Sequence, residues 1–135
     1  MDSDNVVKPR ILLLEDDKHS AMLYEMELTS EGYDVVVAMD GRSAVHMALN
    51  PADGRKPDLL VFDIVIHGAA MDGLEAAGKI VGTKGYEKIP FILHSAYSSY
   101  RDIFMSWAAD AFVVKCSDLD PLKKAIKKAL GEYPR

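Results

Sequence analysis

The chain has 135 residues, 49% of them apolar, with a net charge of −5 and a single cysteine, Cys116. That length suits one domain, expected over 1–135 with its core at about residues 10–131, able to bury a core without staples. A lone cysteine excludes an internal disulfide and fits a reducing cytoplasm, and the acidic balance argues against direct nucleic-acid binding, which needs a basic face.

The first residues, MDSDNVVKPR, hold no apolar stretch with a positive flank, so no secretory signal is expected. No apolar run approaches the roughly 20 residues of a membrane span. Arg10–Leu14 is apolar without helical spacing and reads as a buried strand. Ser20–Glu31 is a helix, with Ala21, Tyr24 and Leu28 on one face and Gly32 ending it. Tyr33–Ala38 is β-branched and makes a second strand. Asp40-Gly41 is a turn, Ser43–Leu49 a short helix stopped by Asn50-Pro51, and Asp58–Phe62 a third strand ending at Asp63. A loop to Gly73 and a helix from Leu74 follow, then a strand at Ile89–His94, a helix at Ser98–Ala109 and a strand at Ala111–Lys115. The last helix is expected to be capped by Asp120, with Pro121 in its first turn. Its apolar stripe is Leu122, Ala125, Ile126, Ala129 and Leu130; Lys123, Lys124, Lys127 and Lys128 are expected to face water, and Gly131 closes it.

Five strand-then-helix units with buried strands imply an α/β fold with a parallel sheet covered on both faces. In such sheets a ligand sits beyond the carboxyl ends of the strands, where the strand order reverses. Strand one runs into Glu15-Asp16-Asp17 and strand three into Asp63. If these strands are neighbours, the acids share one pocket, where like charges raise a pKa unless a cation is present. An all-oxygen acidic cluster suits a hard divalent ion such as magnesium (or manganese). Strand four ends at the hydroxyl of Ser95 and strand five at the ammonium of Lys115. Acids for a metal, one hydroxyl and one positive charge match phosphoryl transfer, whose moving group needs its negative oxygens neutralised from several sides. Asp63, ending a central strand, is the candidate nucleophile, with the other acids holding the metal.

The motifs ILLLEDD, PDLLVFD, MDG, LHSA and FVVK, each at a strand end and in that order, resemble the receiver domain of two-component response regulators over about Arg10–Leu130. The resemblance implies the chemotaxis-type, flavodoxin-like doubly wound sheet of order 2-1-3-4-5. It implies that Asp16 touches the metal directly and Glu15 mostly through water, and that Val65 gives the metal its backbone carbonyl. Asp63 is then the phosphoacceptor, Ser95 the switch hydroxyl, Lys115 the site lysine and Phe112 the rotating aromatic. A sensor histidine kinase or a phosphotransfer protein would supply the phosphoryl group. The surface made by the Ser98–Ala109 helix, the fifth strand and the last helix would report the state to a downstream protein. No separate substrate is turned over; the site catalyses only its own phosphorylation and dephosphorylation.

The chain departs from the family in three places. His67 stands at the usual proline, in a loop two residues longer than D-x-x-x-P-x-M-D-G. Cys116 stands where the family has a proline after a cis bond, so either the bond is trans and Lys115 is aimed differently, or a cis bond is kept without proline. Tyr97, two residues after Ser95, is expected to hinder water and slow loss of the phosphoryl group.

Blander readings exist for each feature. Glu15-Asp16-Asp17 can serve as helix caps, Asp63 as a turn former, Lys115 as a solvated strand end and Phe112 as plain core. His94 reads as a packed strand residue and His67 as a loop residue, without zinc-ligand spacing. Cys116 reads as a half-buried small hydrophobe or as a thiol activated by Lys115. A degenerate receiver that binds proteins independently of phosphorylation is the alternative function. An aspartyl phosphatase lacks its D-x-D here, because Val65 stands two beyond Asp63, and a flavin phosphate would be repelled by three acids.

Overall fold

The computed structural model describes residues 7–64, 73–96 and 109–131. Five strands, β1 (Arg10–Leu14), β2 (Asp34–Ala38), β3 (Leu59–Phe62), β4 (Phe91–Ser95) and β5 (Ala111–Val114), form one parallel sheet of order β2-β1-β3-β4-β5. The described helices are α1 (Lys18–Ser30), α2 (Gly41–Leu49), α3 (Gly73–Val81) and α4 (Asp120–Leu130). The doubly wound architecture expected from the sequence is therefore present. The helix expected at 98–109, with Phe104 and Trp107, lies outside the described residues.

The central strands bury side chains on both faces, as parallel strands must. Alternation sorts them. Leu12, Leu14, Leu60, Phe62, Leu93 and Phe112 pack on the side of α2 and α3. Ile11, Leu13, Leu59, Val61, Ile92 and Val113 pack with Tyr24 and Leu28 of α1 and Leu122, Ile126 and Leu130 of α4. Fully burying an aliphatic side chain of this size contributes about 1.5–3 kcal/mol, and these two layers hold the sheet between its helices.

Helix ends follow local chemistry. Asp17 caps α1 by accepting from Ser20 N (3.3 Å) and Ser20 Oγ (2.5 Å), and Asp40 caps α2 by accepting from Ser43 N (2.7 Å). Gly32, at φ 99°, takes the left-handed turn out of α1 that a Cβ would oppose. Two expectations about α4 are corrected. Asp120 is its first residue rather than its cap; the cap position is Leu119, and the Asp118 carboxylate accepts from Asp120 N at 3.0 Å. Lys123 does not face water. Its ammonium donates to Glu27 of α1 at 2.9 Å and lies 3.6 Å from Glu31, because its stem lies in the α1–α4 seam with only 20% of the side chain exposed.

At the amino ends of the strands, Arg10 donates to Asp34 (2.7 Å) and to both oxygens of Asp53. That fork ties β1, β2 and the α2–β3 connection together, far from the carboxyl-end rim.

Candidate functional site

The sheet order reverses between β1 and β3: the chain steps from β1 outward to β2, then returns to β3 on the other side. The helices that follow β1 and β3 pack on opposite faces of the sheet, the arrangement in which ligands bind at the carboxyl ends. Backbone hydrogen bonds continue past the strand ends. Glu15 N donates to Ala38 O (3.1 Å), Asp63 N to Leu14 O (2.9 Å) and Lys115 N to Ser95 O (2.7 Å). The backbones of Glu15, Asp63 and Lys115 are thus anchored to the sheet.

The side chains converge. Lys115 Nζ donates to Glu15 Oε1 at 2.5 Å and to Asp63 Oδ2 at 2.8 Å. Glu15 and Asp63 are buried, and 19% of the lysine side chain is exposed. Oxygens of Glu15, Asp16 and Asp63 all lie within 4.8 Å of one another. Burial pushes the Glu15 carboxyl up, against the pull of Lys115. Burial likewise works against the Lys115 ammonium, but its bonds to Asp63 and Glu15 prevail and raise it above the usual lysine range. One fixed positive charge therefore holds Glu15 and Asp63 together, with Asp16 beside them.

The acidic run after β1 divides its labour. Asp17 caps α1, so the capping reading holds for that residue. Glu15 Oε2 accepts from Asp17 N (3.1 Å), which orients Glu15 inward beside Asp63. The replacement of proline by Cys116 does not misdirect Lys115, which reaches both carboxylates. Cys116 itself is exposed rather than half-buried, and its thiol donates to Asp118 O.

Ser95 ends β4 at the same rim and is 1% exposed. Alternation sets its side chain with Leu93 rather than on the face that carries Lys115. Phe112 is buried opposite Leu93 in the register of β4 and β5. Val65, His67, Met71-Asp72 and Tyr97 lie outside the described residues.

Sequence reasoning passed over Gly73. Its N–H donates to Ile64 O at 3.0 Å, and a Cβ on it would lie 1.6 Å from the carbonyl oxygen of Asp63. The start of α3 therefore presses directly on the backbone of the central acid. The MDG motif held the signal, but not the contact.

His94 is packed in the core, as its strand position suggested, with its ring 5.3 Å from that of Tyr24. Burial, helped by the Lys115 charge, pushes its imidazole down to about 3 from the ordinary 6.5. Between those values the unfolded chain takes a proton that the folded chain refuses. Stability should therefore fall on acidification, by about 2 kcal/mol at about pH 5 relative to neutral pH. Urea titrations at both pH values should show that slope flattened in His94→Leu; an unchanged slope would assign acid sensitivity to other groups.

The donor set fits a hard divalent cation: three carboxylate residues at the rim, oxygen only, two of them already gathered around a cation. A sheet of this order with such a rim defines a receiver-type α/β module. The comparisons agree. The model of the response regulator receiver domain family matches residues 11–127. The response regulator ArlR of Staphylococcus aureus is 30% identical over 128 residues, covering 93% of this chain and 54% of ArlR, so the chain spans about half the length of the curated relatives it matches. TrrA of Thermotoga maritima, solved in complex with Mg2+–BeF, is 38% identical with a TM-score of 0.75, covering 90% of this chain and 98% of that one. The complex of histidine kinase ThkA with TrrA matches at 38% and 0.75, over 91% and 99%. The chain belongs to the response regulator receiver domain family.

Proposed function

We propose that this chain is a phosphoacceptor switch in which Asp63 takes a phosphoryl group from a phosphohistidine, carried by a sensor histidine kinase or a phosphotransfer protein. The observation that carries this reading is the Lys115 ammonium shared between Glu15 and Asp63 beside Asp16. The similar TrrA, captured with Mg2+–BeF and separately with a histidine kinase, supports it.

Asp63 Oδ attacks phosphorus, the bond from phosphorus to the donor nitrogen breaks, and the electron pair leaves with the imidazole, giving an acyl phosphate. Lys115 stays within reach of Asp63 and neutralises one oxygen of the transferred group, and Ser95 is the candidate for a second. Glu15, Asp16, Asp63 and the backbone carbonyl of Val65 would hold a magnesium ion, which supplies charge neutralisation while the group moves. No other substrate is turned over. The output is a protein contact made through β5, α4 and residues 98–109, with Ser95 and Phe112 as the switch residues. Among the described residues no helix is long and apolar enough to cross a membrane.

Intact-mass measurement with acetyl phosphate tests the reading. One added phosphoryl group is expected with magnesium, and none in Asp63→Ala or without the metal. An unmodified wild type would favour a phosphorylation-independent interaction module instead.

A further inference from the structure

Lys115 leaves β5, yet its ammonium sits on Asp63 of β3 and Glu15 of β1. In the order β1-β3-β4-β5, its stem must cross the end of β4. Neighbouring strands lie about 4.8 Å apart, so this crossing takes up nearly the whole length of a lysine side chain. The face it crosses is defined by alternation. Ile11 and Leu13 lead to Glu15, Leu59 and Val61 to Asp63, and Val113 to Lys115, all on the side of α1 and α4. On β4 the same face carries Ile92 and then His94, which is paired with Val113, one pleat below Lys115.

His94 is 3% exposed and Tyr24, from the second turn of α1, is 6% exposed; their rings meet at 5.3 Å with planes 57° apart. The Lys115 charge is felt at both rings. Neither ring has a part in the chemistry above. An unsupported lysine has four rotatable bonds and loses up to about 2 kcal/mol of rotamer freedom when it is fixed. An uncharged aromatic shelf beneath its path restricts it sterically without competing for its hydrogen bonds.

We propose that His94 and Tyr24 are positioning residues, a ring shelf that holds the Lys115 stem across β4 so that its ammonium rests between Glu15 and Asp63. The consequence for phosphoryl transfer rests on the reading of Asp63 as phosphoacceptor; the positioning itself does not.

Nitrogen NMR of the lysine ammonium groups in the metal-free protein reads the positioning directly. Wild type should show a slowly exchanging Lys115 signal that is lost in Lys115→Ala. His94→Leu and Tyr24→Leu should broaden it, and His94→Phe, which keeps a ring, should retain it. Phosphoryl gain from acetyl phosphate with magnesium should slow about tenfold in His94→Leu, recover in His94→Phe, and show no further loss when His94→Leu is added to Lys115→Ala. If His94→Leu does not fold, His94→Met takes its place. An unchanged Lys115 signal in the folded Leu or Met variant overturns the proposal, as does a tenfold loss that persists on the Lys115→Ala background. If the signals behave as expected but wild type takes no phosphoryl group, the functional reading fails and the positioning stands.

Discussion

Lys115→Met is expected to weaken the fold by about 3 kcal/mol at neutral pH without magnesium, and to slow phosphoryl gain at Asp63 at least about a hundredfold. The methionine keeps the four-atom apolar stem, so what is lost is the ammonium with its charge and its two hydrogen bonds. Glu15 and Asp63 are both buried, and removing their shared cation leaves two neighbouring carboxylates without the positive charge that both accept from. Burial already raises Glu15 above its ordinary 4.5, and Lys115 is the main opposing influence, ahead of the Asp17 backbone N–H. Without it Glu15 rises further, so the folded variant keeps a proton that the unfolded chain releases. Its stability is then retained below about pH 4.5 and lost as pH rises through the raised folded value. Denaturant titrations at about pH 5 and pH 8 check the sign: the deficit relative to wild type should be larger at pH 8. Millimolar magnesium should shrink it. Equal stability of the two proteins at both values would show that the ammonium does not hold the acids together.

Gly73→Ala is expected to cost about 4 kcal/mol, in the range where single substitutions point to a specific clash. A Cβ at this position lies 1.6 Å from the Asp63 carbonyl oxygen and 2.6 Å from its carbonyl carbon, both backbone atoms that no rotamer change can move aside. Either α3 withdraws from the end of β3 and forfeits the buried contacts of Ala76, Ala77 and Ile80, or the Asp63 backbone moves and takes its carboxylate off Lys115. Both routes should lower the melting temperature by ten degrees or more and reduce phosphoryl gain. Gly78→Ala, where nothing lies within 4 Å of the added carbon, is the control and should be stabilising or neutral. Equal melting temperatures for the two variants would remove the close approach as the reason for glycine at position 73.

The alternation of strands and helices was legible because each strand is a short, unbroken apolar run bounded by turn residues. Ile11–Leu14, Leu59–Phe62 and Phe91–Leu93 are buried on both sides, and the stripes of α1 and α4 matched their buried faces. The site was legible for a related reason. Parallel strands all end at one rim, so a polar residue just after each apolar run, Glu15, Asp63, Ser95 or Lys115, must lie near that rim. Element ends were less legible. Asp17, Asp40, Asp118 and Asp120 are chemically alike, and which of them caps a helix depends on backbone angles that residue type does not specify.

Local order along the chain thus determined the fold class, the rim and the inventory of charged groups collected there. Only the tertiary structure decided which groups touch. Lys123 turns inward because Glu27 of α1, 96 residues earlier in the chain, waits across the seam between the two helices. Gly73 matters because α3 happens to start against Asp63. His94 lies under the path of a lysine that starts on one strand and ends on another. Such pairings arise from distances between elements, and periodicity within an element carries no information about them.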